Sequence, residues 1–180
     1  MAISEDMQRE AQAFDARIAE RIQHGQYPDL RRVRPCDWFY NNTWRRPYLV
    51  ALDAGREFEF ALKHARRSRL LDVGCGMGHT SLEFARNGFD VTALDISAAS
   101  LEVARRILAE NPFQESFGSL RYLQEDFVEW EGTGPFDTMC FFGNLHHMPE
   151  LDRALEKAER LLVPGGRVLS CEPAYDWKDE

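Results

Sequence analysis

The segment around residues 70–80 constrains the fold more than any other part of the chain. An apolar run, interrupted by Asp72, leads directly into a loop with glycine at three alternate positions, Gly74, Gly76 and Gly78, and a helical pattern follows. Glycine lets the backbone approach a ligand closely and adopt positive φ angles. The start of the following helix offers free backbone N–H groups. This pattern predicts a buried strand, a ligand-binding turn and a helix in close succession.

From this segment onward, short apolar runs alternate with amphipathic helical patterns. The predicted strands are residues 70–74, 90–95, 120–124, 136–142 and 167–171, and the predicted helices are residues 80–87, a segment capped by Ser97 and ending before Pro112, and residues 149–162. Strands that alternate with helices form right-handed parallel crossovers. The sequence therefore predicts an α/β fold with a doubly wound, mostly parallel sheet. Its ligand crevice is expected at the carboxyl ends of the strands.

Two helical patterns precede this alternating region. Residues 4–24 show apolar residues at helical spacing, and a second, weaker pattern covers residues 47–67. A chain of 180 residues is long enough for one domain with a sizeable core and short for two. We predict a single domain over residues 1–180, in which residues 1–67 form a helical cap or lid on a cofactor-binding core over residues 68–180.

Charge and hydropathy exclude several classes of partner. The formal net charge is −8, whereas binding to nucleic acid depends mostly on clustered cations, so nucleic acid is not an expected partner. No apolar run approaches the roughly 20 residues needed to span a bilayer. Acidic residues follow Met1, in place of the basic patch and apolar run of a signal peptide. We therefore expect a cytoplasmic protein without membrane association.

Two acidic residues at strand ends complete the candidate ligand site. Asp95 ends the second predicted strand, 21 positions after Gly74, where a carboxylate can accept hydrogen bonds from both ribose hydroxyls. Asp126 lies just past the third predicted strand, where it can accept a bond from the exocyclic amine of adenine. The glycine spacing differs from the GxGxxG of dinucleotide folds, and Asp72 suits a cationic amine and sulfonium better than a pyrophosphate. A Rossmann-type NAD(P)-dependent oxidoreductase remains the alternative.

The fourth predicted strand leads into a loop with two adjacent histidines. Gly143 and Asn144 follow the strand, and His146 and His147 precede the next helix. A histidine with a pKa near ~6.5 can act as a general base at neutral pH, so both histidines are candidate catalytic residues. A packing role for them is the alternative. Adjacent histidine side chains diverge and chelate one metal poorly, so no metal site is predicted.

Taken together, five ordered motifs resemble those of the class I S-adenosylmethionine-dependent methyltransferases. They are DVGCGMG, ALDIS, EDF, FGNLHH and LLVPGGRVL, and they extend over roughly residues 69–173. The resemblance implies a Rossmann-like fold with strand order 3-2-1-4-5, S-adenosylmethionine as cofactor and S-adenosylhomocysteine as product. It also implies methyl transfer to a small molecule, with oxygen favoured as the acceptor atom.

The resemblance also implies roles for individual residues. The glycine loop would hold the methionine portion and the ribose, Asp72 would organise the loop and the cofactor amine, directly or through water, and Asp95 would hold the ribose hydroxyls. Asp126 and the residue after it would recognise the adenine edge, and Asn144 would approach the sulfonium end. The full implied set of cofactor contacts is Asp72, Gly74, Cys75, Gly76, Gly78, Asp95, Ile96, Asp126, Phe127 and Asn144.

A segment rich in arginine and aromatic residues, numbers 31–48, lies between the two N-terminal helical patterns. In related methyltransferases, N-terminal segments often cover the cofactor and help to build the substrate pocket. We predict that Tyr40, Arg45 and Tyr48 form a lid over the cofactor or the acceptor. Because arginine forms bidentate bonds with carboxylates and phosphates, this lining would suit an anionic or aromatic small molecule. In the alternative, the aromatics pack the cap and the arginines face water.

The end of the chain departs from the family pattern. Only nine residues, from Glu172, follow the fifth predicted strand, too few for the family's sixth and seventh strands. The fifth strand would then be an edge strand with unpaired backbone groups. A homodimer formed through this edge would cover it, as would the N-terminal segment, and the chain would otherwise be a fragment. A catalytically incomplete S-adenosylmethionine-binding module is therefore a further alternative.

Overall fold

The computed structural model describes residues 5–23 and 47–172, with side chains described for residues 5–23 and 55–172. Its helices and strands alternate after the first two helices, as the sequence predicts. They are α1 (Glu5–Gln23), α2 (Pro47–His64), β1 (Arg69–Val73), α3 (His79–Arg86), β2 (Asp90–Asp95), α4 (Ala98–Ala109), β3 (Ser119–Gln124), β4 (Phe136–Phe142), a short 3₁₀ turn (Leu145–His147), α5 (Leu151–Leu161) and β5 (Leu162–Cys171).

The strands form one five-stranded sheet in the order β3-β2-β1-β4-β5. Every neighbouring pair is parallel. This confirms the predicted doubly wound α/β architecture and strand order. The strand order reverses between β1 and β4, and the carboxyl ends of these two strands, with that of β2 beside them, form the switch point where such sheets bind ligands.

The core lies on both faces of the sheet because successive side chains of a strand point to opposite faces. On one face Leu70 packs with Phe84 of α3 and Ala104 of α4. On the other face Leu71 packs with Met139 and with Ala158 of α5. All six residues are less than 2% exposed. The result is a three-layer arrangement that holds the strand ends rigidly.

The prediction for the last strand was wrong at its beginning. The sequence predicts a turn at Pro164-Gly165-Gly166 and a strand from Arg167, whereas β5 already begins at Leu162. Proline and glycine are tolerated there because, among the described residues, β5 pairs only with β4 and is an edge strand. The pairing shifts register between Phe136 and Thr138, which accommodates the irregular stretch.

Two further features concern the ends of elements and the surface. The 3₁₀ turn at Leu145–His147 was not predicted, and it fixes the direction of both histidines. The predicted second and last helices are each somewhat longer than α2 and α5. Across the described ranges, none of the helices has the length and apolar character needed to cross a membrane.

Candidate active site

The glycine loop follows β1 and ends at the beginning of α3. Gly74, Gly76 and Gly78 all have positive φ angles, of 67°, 52° and 77°. The loop is attached to the next strand by a 2.9 Å hydrogen bond from the Cys75 N–H to the Leu94 carbonyl. A Cβ placed on Gly76 would meet nothing within 4 Å, so this residue opens onto free space. The loop therefore provides the close backbone approach that its sequence predicts.

Asp95 at the end of β2 is bonded to the glycine loop. One carboxylate oxygen accepts a 2.6 Å hydrogen bond from the Gly76 N–H. The other accepts a 2.8 Å bond from the Ser97 N–H. Burial raises the pKa of Asp95 above its ordinary value. Each carboxylate oxygen has further acceptor capacity, so Asp95 can still accept hydrogen bonds from a ligand.

A cavity lies at the carboxyl ends of the strands, directly above this carboxylate. Most of the predicted site residues that have described side chains line it. They are Gly74, Gly76, Asp95, Ile96, Asp126, Phe127, Asn144 and His147. The structure thus brings together residues from β1, β2, β4 and the segment after β3, as the doubly wound fold requires.

Asn144 provides a polar group in this cavity. Its side-chain N–H₂ donates to the Val73 carbonyl. Its Oδ1 is buried and finds no hydrogen-bond partner within the described part of the chain. A Cβ on Gly74 would lie 2.5 Å from the Asn144 amide nitrogen, so only glycine permits this approach. A buried acceptor without a partner is costly, and a ligand donor such as an ammonium group would satisfy it.

Four predicted site residues do not line the cavity. Asp72 lies behind the loop, where it accepts a 2.5 Å hydrogen bond from the Ser81 hydroxyl. Burial raises its pKa to about 7, against the effect of that bond. Cys75 and Gly78 belong to the loop but do not line the cavity, and His146, which does not line it either, is paired with Glu172. Their places fit a supporting role better than direct ligand contact.

Each histidine of the 3₁₀ turn is paired with a carboxylate. His146 Nδ1 lies 2.6 Å from Glu172 Oε2, and His147 Nδ1 lies 2.8 Å from Glu10 Oε1 on α1. The two imidazole rings are 4.0 Å apart between centroids. A carboxylate at Nδ1 fixes a tautomer in which Nε2 can accept a proton. Because His147 lines the cavity, it is the histidine placed to act on a bound molecule.

Glu172 also organises the turn that carries both histidines. Its Oε1 accepts hydrogen bonds from the Asn144 N–H at 3.2 Å and from the Leu145 N–H at 3.1 Å. Partial burial alone would raise the pKa of Glu172, but these bonds and the one with His146 leave that pKa below its ordinary value. The carboxylate is therefore held in its charged form beside the turn.

Sequence reasoning predicted a cap over residues 1–67, but it named neither Glu172 nor any residue of α1 as part of the site. Met7, Glu10 and Phe14 of α1 line the cavity, at spacings that place them on one helical face. That stripe is visible in the sequence, but the surface that it faces is not. Glu172 directly follows a strand, which is the position where this fold places ligand-facing residues. The predicted lid residues Tyr40 and Arg45, and the side chain of Tyr48, lie outside the described residues.

Comparison with known proteins identifies the family. The chain matches a family described as "Methyltransferase domain" over residues 44–180. It belongs to the class I S-adenosylmethionine-dependent methyltransferases. This membership confirms the resemblance and decides against the oxidoreductase alternative. S-adenosylmethionine is therefore its cofactor, and the open space at Gly76, the remaining lone pairs of Asp95 and the unpartnered Asn144 oxygen fit such a ligand.

Individual relatives of this methyltransferase-family chain support the assignment. A ubiquinone biosynthesis O-methyltransferase of Xanthomonas oryzae pv. oryzae is 36% identical over 101 residues, which cover 56% of this chain and 41% of that protein. The chain thus spans well under two thirds of this relative's length. A phosphoethanolamine N-methyltransferase of Haemonchus contortus, solved with phosphomonomethylethanolamine and S-adenosylhomocysteine, is 27% identical, with a TM-score of 0.55, over 64% of this chain and 27% of that one.

The [4+2]-cyclase SpnF shares the fold over a larger part of this methyltransferase-family chain. Its TM-score is 0.68 at 22% identity, covering 92% of this chain and 60% of that chain. A cyclase among the structural neighbours shows that this fold carries more than one reaction. The reaction must therefore be argued from the site.

Proposed function

We propose that this chain transfers a methyl group from S-adenosylmethionine to a hydroxyl oxygen of a small molecule. The observation that carries the proposal is the cavity in which Asp95, Asn144 and His147 meet at the strand ends. In this cavity Asp95 can accept hydrogen bonds from a nucleoside, Asn144 can accept one from an ammonium group, and His147 can accept a proton. The O-methyltransferase name of a relative that is 36% identical supports oxygen as the acceptor atom.

The proposed cofactor contacts follow the cavity wall. The Gly74 and Gly76 backbone would lie against the methionine portion, and Asp95 would accept hydrogen bonds from the ribose hydroxyls. Ile96 would flank the adenine, and Asp126, whose pKa is raised by burial, would face its edge with Phe127. Asp72, Cys75 and Gly78 would not contact the cofactor and would instead hold the glycine loop in place. The residues that line the cavity thus divide between the two ends of one elongated ligand.

In the proposed reaction, His147 is the general base. When bound, S-adenosylmethionine would supply an electrophilic sulfonium methyl group, so that the acceptor oxygen forms a bond to the methyl carbon while the carbon–sulfur bond breaks and its electron pair stays on sulfur in S-adenosylhomocysteine. His147 would take the hydroxyl proton on Nε2 while Glu10 stabilises the resulting imidazolium through Nδ1. His146 and Glu172 would fix the turn beneath it. The remaining contribution of the protein is alignment of the nucleophile with the methyl group.

We also propose that the N-terminal segment covers the cofactor-binding core and selects the acceptor. Residues 1–67 would cover the core formed by residues 68–180, and the cavity-facing residues of α1 support this division. The arginines and aromatics at Tyr40, Arg45 and Tyr48 would select an anionic or aromatic acceptor. Pairing of two copies through β5 would cover the sheet edge, whose Val168 side chain is 43% exposed.

Calorimetry and product analysis test this function. We expect S-adenosylhomocysteine to bind, and labelled methyl from S-adenosylmethionine to appear on 4-hydroxybenzoate or a related phenol but not on the matched aniline 4-aminobenzoate. Mass spectrometry of the product identifies the acceptor atom. Methyl transfer to the aniline alone would contradict O-methylation. Tight binding without transfer to any acceptor of a broad phenol panel would favour a module that binds the cofactor without turnover.

A further inference from the structure

Asp15 of α1 is bonded to the beginning of another helix. Its Oδ1 accepts a 2.6 Å hydrogen bond from the Ser97 hydroxyl and a 3.2 Å bond from the Ala99 N–H. Ser97 is the N-cap of α4, and its hydroxyl oxygen accepts a 3.0 Å bond from the Ser100 N–H. The Ser97 side chain is fully buried. Asp15 therefore extends the cap of α4 from a helix that lies more than eighty positions earlier in the chain.

The same serine is joined to the cofactor carboxylate. Its backbone N–H donates to Asp95 Oδ1 at 2.8 Å, and Asp95 Oδ2 accepts from the Gly76 N–H at 2.6 Å. A continuous set of hydrogen bonds thus runs from α1 through Ser97 and Asp95 to the glycine loop. Displacement of Asp15 would free the Ser97 hydroxyl to rotate, and the turn that orients Asp95 would lose one of its constraints.

Other parts of α1 contact the same site. Ile18 belongs to the apolar cluster that contains Met77, the residue between the second and third loop glycines. Glu10 pairs with His147, and the Phe14 ring packs edge-on against His147 with 5.4 Å between centroids. Since Asp15 directly follows Phe14, its bond to Ser97 holds α1 next to the part of the helix that lines the cavity.

We propose that Asp15 is a positioning residue for the cofactor site, and that docking of α1 and binding of the cofactor are thermodynamically coupled through the Asp15–Ser97 contact. The inference rests on the proposed function only for the identity of the ligand. Coupling is reciprocal: fixing α1 strengthens cofactor binding, and bound cofactor fixes α1 by the same factor. Couplings of this kind amount to roughly 5- to 150-fold in affinity.

The geometry distinguishes a hydrogen-bonding role from a role of charge. Both bonds end on the single oxygen Oδ1, and an amide oxygen can accept both of them. Asp15→Asn should therefore retain the contact, whereas Asp15→Leu has a similar shape and no acceptor. Asp6 is a matched control because it lies on the same helix with its side chain 78% exposed.

The experiment measures the dissociation constant of S-adenosylhomocysteine by calorimetry for the full chain and three variants. We expect Asp15→Leu to weaken binding about 10-fold. Asp15→Asn and Asp6→Leu should stay close to the unaltered chain. Equal affinity of a folded Asp15→Leu protein would overturn the proposal. A loss of the same size in Asp15→Asn would also overturn it, since charge and not hydrogen bonding would then be responsible.

Hydrogen exchange on the unaltered chain tests the coupling without any variant. Addition of S-adenosylhomocysteine should slow exchange of the backbone amides of α1, and protection confined to the glycine loop and β2 would refute the proposed coupling. Ser97→Ala removes the same bond from the other side, so Asp15→Leu should weaken binding less in that background. These measurements need only ligand binding. Their failure is therefore distinct from a failure of methyl transfer, which would contradict the proposed function alone.

Discussion

The two ends of the cavity are built in different ways. We call Gly74–Gly78, Asp95 and Asp126 the cofactor half, and the two histidines with Glu10 and Glu172 the acceptor half. In the cofactor half, Asp95 is held by backbone N–H groups of neighbouring turns. In the acceptor half, Glu172 pairs with His146, and Glu10, from the other end of the described chain, pairs with His147. The first half depends on local backbone shape, and the second on tertiary contacts.

The two halves also differ in their exposure to water. Asp126 is 5% exposed, and burial raises the pKa of Asp126 and of Asp95. The side chains of His146 and His147 are 32% and 33% exposed. A region whose ligand contacts come largely from the backbone suits a cofactor that is the same in every reaction, because backbone groups do not change with side-chain substitutions. A region held by ion pairs between side chains can change its acceptor through a few substitutions.

The largest expected effect concerns the acceptor half. Because His147 lines the cavity and His146 does not, His147→Ala should slow methyl transfer by about 100- to 10,000-fold. The dissociation constant of S-adenosylhomocysteine should change far less, since the cofactor half is untouched and α1 keeps its Asp15–Ser97 contact. Steady-state kinetics with calorimetry on the same samples separate the two quantities. His146→Ala is the control and should retain more activity; the reverse ranking would show that the wrong histidine has been assigned.

The second prediction concerns the cofactor half. Gly76→Ala adds a methyl group where the structure shows free space facing the cavity, so it should weaken S-adenosylhomocysteine binding about 10- to 100-fold. Gly88 also has a positive φ, of 83°, but it lies at the end of α3 away from the cavity. Gly88→Ala should cost comparable stability and leave affinity unchanged. Similar affinities for the two variants would place the ligand elsewhere.

The same contrast explains what the sequence could predict. The glycine loop and Asp95 were recognisable because each directly follows or ends a predicted strand, so that the local pattern of strand and turn alone indicates its position. The bounds of β2 and β4 are as predicted because apolar residues fill them and turn residues flank them. The strand order depended on the family resemblance and was confirmed by the structure.

Long-range partners could not be predicted in the same way. Glu10 looks like an ordinary residue on an amphipathic helix until α1 is placed over His147. Tyr122 is another example, because a Cβ on Gly78 would lie 2.2 Å from its hydroxyl oxygen, and nothing in either local sequence indicates that contact. The beginning of β5 was missed because proline and glycine usually mark turns, and here an edge position accommodates them.

The third prediction concerns Asp72, which lies directly behind the cofactor half, and tests whether burial of its carboxyl group lowers the stability of the fold. Burial raises the pKa of Asp72 from 3.8 to about 7, so the folded protein favours the protonated carboxyl. The resulting penalty on stability grows as pH rises from about 4 to 7 and is complete above the folded pKa. Asp72→Asn, which cannot ionise, should raise the free energy of unfolding at pH 8 by roughly 1–3 kcal/mol.

Urea unfolding at several pH values measures this difference. The advantage of Asp72→Asn over the unaltered chain should shrink as pH falls toward 4, because both proteins are then neutral at this position. Affinity for S-adenosylhomocysteine should fall less in Asp72→Asn than in Gly76→Ala, because Asp72 lies behind the loop and does not line the cavity. A variant that is less stable at pH 8 would mean that the carboxylate has a stabilising partner in the folded state.

The smallest expected effect concerns Glu172, which belongs to the acceptor half. Glu172→Gln retains an oxygen for the Asn144 and Leu145 N–H groups and loses only the charge opposite His146, so it should cost about 1 kcal/mol or less at pH 7. Glu172→Ala removes all three bonds and should cost about 1–2 kcal/mol.

The effect of Glu172 also depends on pH. Because the folded pKa of Glu172 is lowered, its contribution to stability is present above the ordinary value of 4.5 and disappears as pH falls through the folded value. Urea unfolding of both variants at pH 7 and under acidic conditions measures these differences. If Gln and Ala were equally destabilising, the pair with His146 and not the backbone contacts would hold the turn, and the acceptor half would depend on charge alone.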